Sequence, residues 1–142
     1  MNKGLIAKAS ISINASAAKI WDALINPEMI KQYMFGADTI SDWKVGSPIV
    51  WKGAWEGKPY EDKGVILKIE PEKTLKYSHF SPLEGLPEVS ENYHTVTYRL
   101  SDKGYETNVS LSQDNNANEK ALENSEKMWG NMLTELKKLL EK

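Results

Sequence analysis

Apolar residues change their spacing three times along the chain, and each change marks a new kind of element. Leu5, Ala7, Ala9, Ile11 and Ile13 alternate with Lys8, Ser10 and Ser12, the pattern of a strand with one buried face. From Ser16 the spacing lengthens: Ala17, Ile20, Trp21, Leu24 and Ile25 form a helical stripe behind a serine cap. Asn26-Pro27 stops that helix, because proline disfavours helical geometry in the residue before it. Glu28 to Tyr33 then predicts a second short helix. Between about Ala37 and Asp114 the period returns to two, and from Asn118 to Lys142 it lengthens again. There Ala121, Leu122, Ser125, Met128, Trp129, Met132, Leu133, Leu136, Leu139 and Leu140 lie on one stripe of a long C-terminal helix.

The middle segment reads as strands and turns. Ile49 and Trp51 oppose Val50 and Lys52 before a turn predicted over Gly53 to Gly57. Val65, Leu67 and Ile69 alternate with Ile66 and Lys68, and Pro71-Glu72-Lys73 reverses the chain. Leu75, Tyr77 and His79 share one face of the next strand; after a Pro/Gly-rich loop from Ser81 to Ser90, so do His94, Val96, Tyr98 and Leu100. Asp102-Lys103-Gly104 closes a hairpin onto Thr107 to Gln113, where Val109 and Leu111 are apolar on one side. The predicted order is a strand, two short helices, about six strands and a long helix. One helix of that length covers one face of a curled antiparallel sheet, so the fold class is α+β.

Length and charge narrow the function. A chain of 142 residues fits a single domain spanning 1–142. Its 18 basic and 20 acidic residues leave no basic stripe for holding phosphates, which argues against a nucleic-acid partner. With no cysteine, disulfides, zinc-thiolate sites and thiol catalysis are excluded, in keeping with a reducing cytoplasm. No stretch approaches the apolar length that spans a bilayer, so no membrane insertion is expected.

Specific residues carry a resemblance. The run Ile13-Asn14-Ala15-Ser16-Ala17-Ala18-Lys19-Ile20-Trp21-Asp22-Ala23-Leu24, followed by Pro27, resembles the opening signature of the SRPBCC superfamily. That superfamily gathers START-type lipid-transfer proteins, polyketide cyclases and birch-pollen-allergen-like proteins. Gly64, Pro71 with Thr74-Leu75 and Tyr77, Val96 to Leu100, and Trp129-Gly130 with Met132, Leu133 and Leu136 are similar to the branch of heat-shock-ATPase-activator homologues. The resemblance implies a helix-grip fold: a curved antiparallel sheet of about six or seven strands wrapped around the C-terminal helix, with two short helices after the first strand. It also implies an elongated internal cavity for a small hydrophobic molecule (a lipid, a polyketide or a flavonoid-like aromatic) and a role in stress response. The alternatives are a module that engages a heat-shock chaperone and a polyketide cyclase or aromatase-like enzyme.

Five Trp, six Tyr and five Met supply large, adaptable side chains to line such a cavity or simply to fill a core. The candidate ligand-binding set is Trp43, Trp51, Tyr77, His79, Tyr93, His94, Val96, Tyr98, Leu111, Gln113, Trp129, Met132, Leu133 and Leu136. Tyr77, His79, Tyr93, His94, Tyr98 and Gln113 are its polar hooks, or else neutral groups satisfied within the core. Gly130 costs a helix about 1 kcal/mol relative to alanine, so either a sheet residue approaches it closely or it widens the cavity beside Trp129. Loop residues Met34-Phe35-Gly36 and Leu83, Leu86 and Val89 plug an end of the barrel, form a homodimer contact or make a movable mouth. There is no cysteine nucleophile, nucleophile elbow or phosphate loop; the residues nearest to proton-transfer chemistry are His79 with Glu56 or Glu61. Two histidines make half of an ordinary zinc shell, so neither a metal nor a cofactor is expected. The chain is expected to be cytoplasmic, as a monomer or weak homodimer.

Overall fold

The computed structural model describes residues 5–55, 57–82 and 85–141. The first strand, β1 (Ala7–Ile13), ends where Ser16 caps α1 (Ala17–Ile25) by accepting from the Lys19 N–H. Asn26 both terminates α1 and caps α2 (Pro27–Tyr33), whose first residue is the proline that stops its predecessor. Six strands follow in meander: β2 (Asp38–Ser41), β3 (Pro48–Trp55), β4 (Lys58–Glu70), β5 (Thr74–His79), β6 (His94–Asp102) and β7 (Thr107–Gln113). A 3-10 turn, Ser90–Asn92, leads into β6. Asn118 caps the long helix α3 (Glu119–Leu140) through its side-chain oxygen on the Ala121 N–H.

All pairings are antiparallel, and the sheet order is β1-β7-β6-β5-β4-β3-β2. The fold is the expected helix-grip α+β arrangement: a curved seven-stranded sheet, three helices and a filled interior between them. α3 runs beside β1 and turns Trp129, Met132, Leu133, Leu136 and Leu140 into the core. Met128, which the stripe assigns to the same face, is 44% exposed, and Ala121, Leu122 and Ser125 are only half-buried, so the fully buried face begins at Trp129, about two turns after the stripe's first residue. The end of α3 is fastened to the opposite corner. Lys19 Nζ donates to the Leu140 carbonyl, Lys137 Nζ to the Ser12 carbonyl, and the Glu141 carboxylate accepts from the Asn14 N–H. Lys19 at the Leu140 carbonyl, with Lys137 and Lys138 in the last turn, also matches the negative end of the helix dipole.

The β3–β4 hairpin departs from the sequence reading. β3 continues through Gly53 to Trp55, and Gly57, with φ +82°, is the turn glycine. Gly53 pairs with Tyr60, whose hydroxyl sits 2.7 Å from where a Cβ would be; the glycine admits that ring rather than a turn. Strand β2 carries only four residues, too few to stand out from the general alternation. Gly64 has the tightest role: a Cβ there would lie 1.7 Å from the Ser78 carbonyl oxygen, where β4 and β5 approach. Beside it the Ser78 hydroxyl accepts the Val65 N–H and Lys63 bridges Phe80, carrying the pairing through an irregular stretch.

Candidate functional site

Strand register sets one row of chemistry across the inner face. Thr39 on β2 lies opposite Trp51 on β3, and Trp51 opposite Asp62 on β4. Asp62 Oδ2 meets His79 Nε2 of β5 at 2.9 Å, and His79 lies opposite His94 at the start of β6. Directly opposite residues share a face, so the row runs Thr39, Trp51, Asp62, His79, His94. Trp51 is its centre: its ring lies 5.0 Å from Tyr77 and 5.1 Å, edge-on, from His79. His79 stacks on His94 at 6.2 Å, and Tyr77 reaches Tyr98 at 6.1 Å.

Next to this row is a small gap of about 10 Å³, the space of roughly one water. Its walls include Tyr33 and Met34 at the end of α2, Thr39, Trp43, Trp51, Tyr77 and Tyr98. The Tyr33 hydroxyl donates to the Ala23 carbonyl at 2.8 Å, while the Tyr77 and Tyr98 hydroxyls face each other at 3.4 Å. Burial pushes the Tyr98 hydroxyl up to about 12 and raises Tyr33 and Tyr77 well above the ordinary phenol range, so all three remain neutral. Thr39 Oγ1, Asp62 Oδ1 and His79 Nδ1 are buried with no hydrogen-bond partner. Such atoms are rare in proteins and each costs about 1–3 kcal/mol. Two of the flanking residues, Phe35 (φ 58°) and Trp43 (φ 57°), hold left-handed backbone without being glycine, a strain of the kind found at clamps and switches.

The fourteen residues singled out by sequence separate into groups. Trp43, Trp51, Tyr77 and Tyr98 line the gap; His79 does not, but packs edge-on against Trp51, which does. His94 adjoins His79 and donates from Nδ1 to the Asp114 carbonyl. Val96, Leu111, Met132, Leu133 and Leu136 pack in the filled core between sheet and helix. Trp129 donates its indole N–H to the Gln113 side-chain oxygen, pairing two of the predicted residues with each other at the other side of the sheet. Tyr93 stands apart, since the residue before His94 points the opposite way; it packs on Phe80 and its hydroxyl bonds Glu88. No residue of α3 lines the gap.

Two expectations need correction. The carboxylate beside His79 is Asp62; Glu61 faces away in an ion pair with Lys52, and Glu56 lies outside the described residues, as does Leu83. Nothing approaches Gly130, where a Cβ would meet no atom within 4 Å. Sequence reasoning missed Thr39, Asp62 and Tyr33. The signal for Asp62 is the hairpin centre: closing the hairpin at the Trp55–Lys58 pair sets Asp62 opposite Trp51, whereas a turn spread over Gly53 to Gly57 does not.

A second depression, about 450 Å³ and open, lies on the outer face between β1, β7 and β6. Its walls mix Lys8, Ser10, Thr97, Arg99, Ser110 and Ser112 with Ile6, Ala9 and Leu111, and none of the three unpartnered buried atoms lies in it. Among the described residues no cluster of three or more His, Asp or Glu is placed to hold a metal, and no helix is long and apolar enough to cross a membrane.

Comparison with known proteins follows the same lines. The solution structure of ChR145 from Cytophaga hutchinsonii is 54% identical, with a TM-score of 0.86 over 99% of this chain and 97% of that one. The Aha1 dimer from Colwellia psychrerythraea shares the fold at 22% identity, with a TM-score of 0.74 over 96% of each chain. DynU16, a putative protein in the dynemicin biosynthetic locus, shares it at 14% identity and a TM-score of 0.80, over 96% of this chain and 47% of that one. Curated proteins give no significant match. The family model described as activator of Hsp90 ATPase homolog 1-like protein matches residues 14–141, and the chain belongs to that family.

Proposed function

We propose that this protein binds a small aromatic molecule at the gap between α2, the β2–β3 edge and the Tyr77–Tyr98 pair. The observation that carries the reading is the combination in one place of an aromatic wall with a buried, unpartnered hydroxyl, that of Thr39. Pockets of this class are mostly apolar with a few convergent polar groups. Trp51, Tyr77 and Tyr98 favour a flat ring over an acyl chain, because ring pairs gain from offset and edge contacts. A volume near one water means the guest enters by displacing side chains, and the walls suit this. Met34 is flexible, and the strained backbone of Phe35 and Trp43 brackets the β2 edge.

Tryptophan fluorescence tests the proposal. A panel of flavonoids, aromatic polyketides, sterols and fatty acids is titrated into the delipidated protein. Saturable quenching by an aromatic class, weakened at least tenfold by Trp51→Leu in a folded variant, is the expected result. A flat response across the panel overturns it.

Family membership favours a second reading, a module that engages the Hsp90-type ATPase. Phe35, Ile40 and Val45, all more than half exposed around edge strand β2, are the apolar surface such a contact would use. Stimulation of the ATPase by this protein, abolished by Ile40→Asp, supports that reading; no stimulation removes it.

A further inference from the structure

A carboxylate can only accept hydrogen bonds, so the His79 Nε2 that meets Asp62 at 2.9 Å carries the hydrogen in the neutral ring. The other nitrogen, Nδ1, is then a bare acceptor. It is buried and unpartnered, as is the second oxygen of Asp62. The ring cannot turn to relieve this, since Trp51 and His94 pack against it and Asp62 holds its edge. Two desolvated acceptors therefore stand against the aromatic wall with no protein donor to serve them; neither residue lines the gap, and Trp51, which does, packs against His79. Whatever satisfies them must bring hydrogen. It must also tolerate the negative charge of Asp62, the charged group nearest to the ring. Lys63, the next residue, is turned away into its ion pair with Glu88.

We propose that the His79–Asp62 pair is the polar anchor of the binding site, and that it selects neutral aromatic ligands bearing a hydroxyl or amino donor while rejecting fatty carboxylates. This rests on the binding role proposed above and narrows it. Discrimination by unpaired polar groups is stronger than discrimination by shape, because a guest without the donor leaves those groups buried and unserved. A carboxylate guest fails twice: it offers no hydrogen at neutral pH, and it sets a second negative charge against Asp62.

The test uses the full chain and four probes: 2-naphthol, 2-methoxynaphthalene, naphthalene and laurate, compared by calorimetry. 2-Naphthol is expected to bind at least tenfold more tightly than the other three. That preference should collapse to near unity in His79→Phe, which keeps a ring against Trp51. Nitrogen-15 NMR of the unaltered protein gives a reading independent of any variant's folding. The His79 Nδ1 resonance should move upfield with 2-naphthol, as a donor arrives, and stay in place with naphthalene. Equal binding of 2-naphthol and naphthalene with Nδ1 unmoved overturns the anchor and leaves the aromatic site standing. Laurate binding as tightly as 2-naphthol overturns the selectivity. If none of the four binds, both the anchor and the site are overturned.

Discussion

Where β1, β7 and β6 meet α3, the buried polar side chains are paired: Gln113 with Trp129, Asn116 with Leu5, Gln113 and Ser125, and Thr107 with the Ala15 carbonyl. Across β2, β3, β4 and β5, Thr39, Asp62 and His79 each keep an atom without a partner, beside the small gap. The same sheet thus has a half in which polar groups hold the structure together and a half in which they cost it stability. Satisfied networks rigidify a core, whereas buried unsatisfied groups are the kind of broken rule that natural proteins concentrate at functional sites.

Four tests can break or sharpen that contrast. Gly64→Ala should have the largest effect, costing at least about 3 kcal/mol in chemical denaturation or preventing folding, because its methyl would sit on the Ser78 carbonyl. Alkali comes next and strikes the aromatic half. Tyr98 is held to about 12, and Tyr33 and Tyr77 are also raised, so the native state keeps protons that the unfolded chain releases near pH 10. Their contribution is complete below pH 10 and is lost as pH rises through the folded values, by about 1.4 kcal/mol per pH unit for each such tyrosine. Tyr98→Phe should flatten the slope of stability against pH between 10 and 12.

A paired test of intermediate size compares the halves directly. Gln113→Leu strands the Trp129 indole N–H and should cost about 1–3 kcal/mol. Thr39→Val removes a hydroxyl that has no partner and should cost nothing, or stabilise slightly, when the two are melted side by side. Equal losses would erase the distinction between the halves. The smallest effect is Gly130→Ala, a gain of about 0.5–1 kcal/mol, since the added methyl meets only open space and alanine is the better helix former.

The periodicity made most of the fold legible. Leu75, Tyr77 and His79, and likewise His94, Val96 and Tyr98, fall on the inner face as the alternation requires, and the stripe from Trp129 to Leu140 faces the core. The candidate site was legible only in its aromatic part. Trp51, Tyr77 and Tyr98 announce themselves by size, but Asp62 sits in Lys58-Pro59-Tyr60-Glu61-Asp62-Lys63, where every charge reads as solvated surface. Only strand register separates it from Glu61, and register turns on a single residue of hairpin length. Thr39 was hidden for a related reason: β2 is too short to carry a period of its own. Gly130 misled because a helical glycine signals close approach in general, while here it abuts nothing.

The position of β1 in the sheet also has a consequence for synthesis. β2 through β7 pair each with its neighbour in the chain and can assemble as they leave the ribosome, hairpin by hairpin. β1 is made before them, yet its strand partner is β7, which ends at Gln113, and the helix that lies along it starts at Glu119. Most of the polypeptide must therefore emerge before Ile11 and Ile13 find their places, and the sheet closes last at the strand that was translated first.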